Sequence, residues 1–157
     1  MIESPTVTSI DELTGYVGRE IGVGQWFEVT QARVDAFAEL SGDHQFIHVD
    51  IERAAGTPFG GTIAHGLLTL SSLPLLTRDR VGIKLDLKPR MSLNYGYNRV
   101  RFPAPVRVGK RIRLRTTLVS VDEVSPSVYQ TVYRQTVEIE GEVKPAMVAE
   151  SVGRTYL

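Results

Sequence analysis

An α+β fold with an antiparallel sheet is what this chain predicts, and three observations carry the expectation. Helical periodicity is confined to the first half and ends near Leu76. Four long strand candidates fill the second half, separated by short turns. Helices and strands do not alternate as βαβ units, so a parallel sheet is not expected. At 157 residues, a single domain over 1–157 has room for a full core.

Taken in order, Ser9 to Tyr16 reads as a short helix with Ser9 or Asp11 near its start. Gln25 to Val29 reads as a strand. Thr30 is a suitable N-cap for a helix over Gln31 to Leu40, in which Val34, Phe37 and Ala38 share one face. Gly42 is placed to end that helix in a left-handed cap, which leaves Asp43–His48 as a loop. Ile51 to Ala55 suggests another helical turn, and Gly56, Pro58, Gly60 and Gly61 a loop. From Ile63 to Leu76 the apolar residues, among them Leu67, Leu68, Leu70, Leu73 and Leu75, surround the helix axis. A helix apolar all round is expected to be buried on all sides, with Pro74 kinking it or ending it early.

The strand candidates are Ser92 to Phe102, Arg111 to Val121, Val128 to Glu140 and Ala146 to Tyr156. In the second, Ile112, Leu114 and Leu118 alternate with Arg111, Arg113 and Arg115 in a period of two. Pro103-Ala104-Pro105, Ser125-Pro126-Ser127 and Gly141 mark the turns. One buried helix wrapped by such a sheet is the hot-dog arrangement.

Composition removes several function classes. Eighteen basic residues balance eighteen acidic ones, which argues against a dedicated nucleic-acid surface. With no cysteine, disulfides, thiolate catalysis and cysteine-ligated zinc are excluded, and a reducing compartment fits. The N-terminal MIESPTVTSIDELTGYVG has neither a basic nor an apolar leader region, and no apolar run reaches the roughly 18 residues of a membrane span. The expected location is the cytoplasm, with no membrane partner.

The chemistry-bearing residues cluster in two short stretches. Asp43 stands five residues before His48, and Ala64-His65-Gly66 opens the apolar helix. Asp43 could simply cap a turn, and His48 could be a polar loop residue. Gly66, however, falls in the first turn of a helix expected to be buried, where backbone N–H groups lack internal partners and sit at the positive end of the dipole. A thioester carbonyl, whose oxygen gains negative charge as an enolate forms, suits such a place, and glycine permits close approach. An acid, a base and such a donor are a kit for adding or removing water beside a carbonyl. His65 could touch substrate or serve the fold, and the structural role is favoured.

His44 and His48, four residues apart with Asp43, Asp50 and His65 nearby, also offer a metal reading. The segment follows a helix-ending glycine and carries Phe46 and Ile47, so a helical ligand pair is not expected and no metal is assigned. Arg111, Arg113 and Arg115 form a basic strand face, normally solvated. It could meet coenzyme phosphates, as could Arg99, Arg101 and Lys144.

Gly42-Asp43-x4-His48 followed by Ala64-His65-Gly66 resembles the MaoC-like, (R)-specific enoyl-CoA hydratase family. Asn94-Tyr95-Gly96 and the run Val100-Arg101-Phe102-Pro103-Ala104-Pro105-Val106 resemble its short single-domain, nodulation protein N-like members. The resemblance covers roughly residues 20 to 157. It implies a hot-dog homodimer that hydrates trans-2-enoyl-CoA to (R)-3-hydroxyacyl-CoA. It also implies that Asp43 and His48 hold the water and that the Gly66 N–H forms the oxyanion hole. His65, Gln45, Phe59 and Arg101 are further candidates for substrate contact, and the acyl tail is expected against Phe59, Leu67 or Leu70. No cofactor is implied, since coenzyme A is part of the substrate. A hot-dog thioesterase and a non-catalytic acyl-CoA-binding subunit are the rival readings. The commoner family loop reads aspartate-x-asparagine-proline-x-histidine. Gln45 and Phe46 stand here instead, which keeps an amide but loses the proline and so bears on loop rigidity and chain-length preference.

Overall fold

The computed structural model describes residues 4–157; Met1–Glu3, the start of the N-terminal segment expected to hold no leader, lie outside the described residues. The first half carries β1 (Thr6–Val7), α1 (Ile10–Thr14), β2 (Glu20–Val23), β3 (Phe27–Glu28), α2 (Gln31–Ser41), α3 (Phe46–Val49), α4 (Ile51–Ala55), α5 (Gly66–Ser71) and α6 (Leu73–Leu76). The second carries β4 (Val81–Gly82), β5 (Lys84–Leu85), β6 (Met91–Arg101), β7 (Arg111–Ser125), β8 (Val128–Ile139) and β9 (Met147–Tyr156).

The sheet runs β4-β2-β7-β8-β9-β6, with β3 also on β7, and its pairings are antiparallel. β1 and β5 form a separate parallel pair. The alternation in β7 explains the central strands. Ile112, Leu114, Thr116 and Leu118 are buried, and the register sets Ile112 against Ile139 and Leu114 against Val137 on the same face. That face carries two adjoining cores. One gathers Val34 of α2, Leu73 and Leu76 of α6, and Ile112, Leu114, Val137 and Met147 of the sheet. The other gathers Val7, Leu13, Ile21, Ile83 and Leu118.

On the opposite face the arginines of β7 are paired along the ladder. Arg113 Nε donates to Glu138 at 2.6 Å, Arg115 Nε to Glu20 at 2.7 Å, and Arg111 binds Glu140. The basic strand face expected above as a possible phosphate surface is therefore self-neutralised.

The helix expected over Ile63–Leu76 needs correction. Ile63 bridges Arg107 and the Ala64 N–H donates to Val106 O at 2.8 Å, so this part is extended and the helix starts at Gly66. Pro74 has no N–H to offer the carbonyl of Leu70, and the run divides at Ser72 into α5 and α6. Nor is it enclosed: Leu67 is 60% exposed, and Leu68 and Leu70 are half-buried. The other helices keep near to expectation. The Ser9 hydroxyl caps α1 by accepting from Glu12 N, and Gly42, at φ 77°, closes α2 with its N–H on Ala38 O. Thr30 occupies the N-cap of α2 without a side-chain capping bond. The strand expected over Gln25–Val29 shrinks to Phe27–Glu28, and β2 was not anticipated.

Candidate active site

Three local structures bring the chemistry together. The left-handed cap at Gly42 turns the chain out of α2 and delivers Asp43, whose carboxylate accepts from the Gln45 N–H at 3.3 Å. The chain then forms α3 rather than remaining a loop throughout, and His48 lies in that single turn. Phe46 occupies its first position, where proline is favoured. The Arg53 guanidinium lies 3.9 Å from the Phe46 ring centroid, which gives that turn a different anchor. Finally, extended Ile63–His65 runs antiparallel to the segment around Val106 and leads into Gly66.

His48 is 7% exposed and its orientation is fixed from both ends. Its Nδ1–H donates to Ile63 O at 2.7 Å, which leaves Nε2 as the ring's acceptor. Its backbone carbonyl accepts from Gln31 Nε2 at 2.8 Å, and the same amide nitrogen donates to Asp35 Oδ1 at 2.8 Å. Thr62 donates its hydroxyl to Gln31 Oε1, so one side chain joins α2, α3 and the approach to α5. His65 is 3% exposed, and its Nε2–H donates to the Asp43 carbonyl at 2.9 Å. The two imidazoles are stacked, centroids 3.7 Å apart and planes 24° from parallel, and Phe37 packs on His65 at 5.0 Å. A carboxylate oxygen of Asp43 and one ring nitrogen from each histidine lie within 4.8 Å of one another.

Beside this cluster lies a cleft of about 300 Å³, lined by His48, Gly66 and Thr69 and walled by apolar residues including Phe59, Phe102 and Ala146. Asp43 is exposed and stands at the cluster without lining the cleft. Gly66 is in the first turn of α5, where its N–H has no intrahelical acceptor. A Cβ at this position would meet the Phe102 ring at 2.8 Å, so glycine is what lets that ring approach.

Among the sequence-predicted residues, Asp43, His48, His65, Gly66 and Phe59 come together around this region. Gln45 is exposed and precedes α3, and Arg101 is exposed with a guanidinium N–H on Val100 O; neither lines the cleft. Leu67 and Leu70 do not line it either, whereas Thr69 does. Gln31, Phe37, Ile63 and Phe102 were not singled out. Their parts depend on contacts between distant segments, and only the Phe102 run carried a signal, through its resemblance to the family.

The metal reading changes in composition. His44 leaves it: Nε2 pairs with Glu39 at 2.8 Å, and that hydrogen bond, helped by the Gly42 carbonyl, raises its pKa above the ordinary histidine value. Asp50 caps α4 by accepting from Arg53 N at 3.0 Å. Asp43, His48 and His65 remain as a donor set that zinc accepts. Their geometry fits a metal poorly. Lone pairs lie in the ring planes, and an ion in the plane of one stacked imidazole lies off the plane of the other.

The arrangement can therefore hold one small molecule between a carboxylate and an imidazole acceptor, next to a backbone donor and an apolar wall. The chain as a whole is similar to known proteins. The MaoC like domain family matches residues 12–139. The chain is 46% identical over 149 residues to 3-hydroxyacyl-thioester dehydratase Z of Mycobacterium tuberculosis, covering 95% of this chain and 97% of that protein. It is 44% identical over 142 residues to nodulation protein N of Rhizobium meliloti, covering 90% and 87%. Among solved structures, an (R)-hydratase from A. caviae involved in PHA biosynthesis aligns with a TM-score of 0.67 at 27% identity, covering 87% of this chain and 94% of that one. A monoamine oxidase regulatory protein from Archaeoglobus fulgius aligns with a TM-score of 0.76 at 23% identity over 99% of both chains, a likeness of fold. The hot-dog expectation is thereby borne out, and the chain belongs to the MaoC-like dehydratase family.

Proposed function

We propose that this protein is a hydro-lyase that interconverts trans-2-enoyl-CoA and (R)-3-hydroxyacyl-CoA thioesters. The observation that carries this reading is the meeting of the Asp43 carboxylate with the His48 ring beside an apolar cleft that His48 and Gly66 line. Relatives named as a 3-hydroxyacyl-thioester dehydratase and, at 27% identity, an (R)-specific enoyl-CoA hydratase support the same reaction class.

In this reading the thioester carbonyl lies against the Gly66 N–H. Water sits between the Asp43 carboxylate and His48 Nε2. Its oxygen attacks C3 and loses a proton to the pair, while C2 gains a proton. The charge that gathers on the carbonyl oxygen is met by the backbone donor, a term worth about 3–4 kcal/mol where such donors have been removed. The Asp43/His48 pair acts as one unit in holding the water. The reaction needs no further cofactor, because the thioester already acidifies the C2 proton and coenzyme A arrives with the substrate.

The functional unit proposed is a homodimer. β6 pairs with β9 along one side and ends the sheet, leaving an eleven-residue edge. Met91, Leu93 and Tyr95 are exposed on it, as is Leu67 on α5. Long apolar edges are ordinarily covered, and a second copy is the occupant proposed. A cytoplasmic location remains our expectation; among the described residues no helix is long and apolar enough to cross a membrane.

Purified protein incubated with crotonyl-CoA tests the reaction. Loss of the enoyl absorbance without thiol release supports hydration. Thiol release would favour the thioesterase, and no turnover of any enoyl chain length would favour a binding subunit. Light scattering after gel filtration tests the dimer, and a monomeric mass would refute it.

A further inference from the structure

We infer that His65 is a positioning residue that fixes both members of the water-holding pair, from a buried place outside the substrate. The inference rests on the reading that Asp43 and His48 hold the reacting water. Three observations carry it. The Nε2–H of His65 donates to the backbone carbonyl of Asp43, twenty-two residues away in the chain, and so sets where that carboxylate emerges. Its ring lies flat on His48 at 3.7 Å, so the plane in which His48 Nε2 presents its lone pair is set by the same side chain. Its own Nδ1 is buried and meets no protein hydrogen-bond partner among the described residues.

The last point identifies the tautomer. A carbonyl accepts only from N–H, so Nε2 carries the hydrogen and Nδ1 is bare. A hydrogen on Nδ1 would be a buried donor with no protein acceptor among the described residues. The ring, with its hydrogen on Nε2, packs against both Phe37 and His48. The imidazole thus combines a flat ring for His48 with an N–H that reaches the Asp43 carbonyl.

Two substitutions separate these functions. His65→Phe keeps a ring on His48 and removes the donor to Asp43. His65→Gln keeps an amide N–H at about the reach of Nε2 and removes the ring. Each is expected to lower kcat for crotonyl-CoA by about 10- to 100-fold, with KM changed by less than about threefold, because geometry and not ground-state binding is lost. In an Asp43→Asn background, His65→Phe should cost little more, since the carboxylate it positions is gone. A purely structural role would instead give the same loss in both backgrounds, and that result would overturn the proposal. So would either single variant retaining kcat within about twofold of the parent.

The tautomer has its own readout. Nitrogen-15 spectra of the folded parent at neutral pH should show His65 protonated at Nε2 and bare at Nδ1. The reverse assignment would overturn the positioning bond even in a parent of full activity. If the parent shows no hydratase activity while the tautomer is as stated, the functional reading fails and the geometry stands.

Discussion

The outer face of β7 and β8 and the region around α3 and α5 use polar groups in opposite ways. On the outer face, Arg111, Arg113 and Arg115 each have a carboxylate from Glu140, Glu138 or Glu20, and the Arg113 guanidinium also lies 4.4 Å from the centroid of Trp26. Around α3 and α5 the groups are held at one end only: His48 is anchored through Nδ1 on Ile63 O while its Nε2 forms no protein bond among the described residues, and the Asp43 side chain is exposed. Saturated polar groups hold a surface in place and have nothing left for a ligand. Groups anchored at one end and open at the other are prepared to meet something.

The largest test of this contrast removes the open groups. Asp43→Asn and His48→Ala should each give folded protein with hydration slowed by about 10²–10⁴-fold, the usual weight of a general acid–base group. The double variant should lose far less than the product, because both groups hold one water. Steady-state kinetics with crotonyl-CoA checks both statements, and a single variant with near-parental turnover would remove that residue from the assignment.

A smaller effect is expected at the backbone donor. Gly66→Ala places a methyl against the Phe102 ring, which is itself partly exposed and free to give way. Turnover should fall by about tenfold or more as the carbonyl is displaced, short of the full value of a lost oxyanion donor. If the ring transmits the effect, Phe102→Leu in the same protein should restore part of the rate. Gly66→Val, bulkier and a poorer helix former, should lose more activity and also melt earlier.

On the saturated face the expectation is nearly flat. Glu138→Gln should leave kcat and KM unchanged and lower stability by no more than about 1 kcal/mol, since the pair with Arg113 is only partly shielded from water. A loss of activity there would show that the two regions communicate.

The smallest effect belongs to His44, which shares a six-residue stretch with His48 but lies with the saturated groups. Glu39 raises its folded pKa above the ordinary 6.5. A raised folded pKa means that its stabilising contribution is complete below the unfolded value and is lost as pH rises through the folded one. The difference in melting temperature between the parent and His44→Ala should therefore shrink as pH is raised above about 6.5. Glu39→Gln should bring the imidazole titration, followed by NMR, back toward the ordinary value. Hydration should be far less sensitive to His44→Ala than to His48→Ala.

Much of this was legible from residue order. The period of two in Arg111–Val121 anticipated β7, and Gly42 anticipated where α2 ends, because both signals are local. β2, β4 and β5 were not legible, being runs of two to four residues whose definition comes from distant partners. The stretch Ile63–Leu76 was misread for a physical reason. Hydropathy reports that leucines avoid water; it does not say whether their own chain covers them. At the site, the spacing of Asp43 and His48 and the position of Gly66 were readable. The Ile63 carbonyl on His48 Nδ1, the stack of His65 and the Phe102 ring over Gly66 were not, since each joins segments fifteen or more residues apart.

Gln31 gives one of these long-range contacts a further consequence. Its amide oxygen accepts from Thr62, while its nitrogen faces two acceptors, Asp35 Oδ1 and the His48 carbonyl. Glutamate, the nearest replacement in shape, would turn a second oxygen toward those two acceptors and set like against like. A single-atom exchange on α2 would thus unfasten the turn that carries His48. In a search for variants with altered chain-length preference, this position offers a lever on the pose of the imidazole while the cleft wall itself stays unchanged.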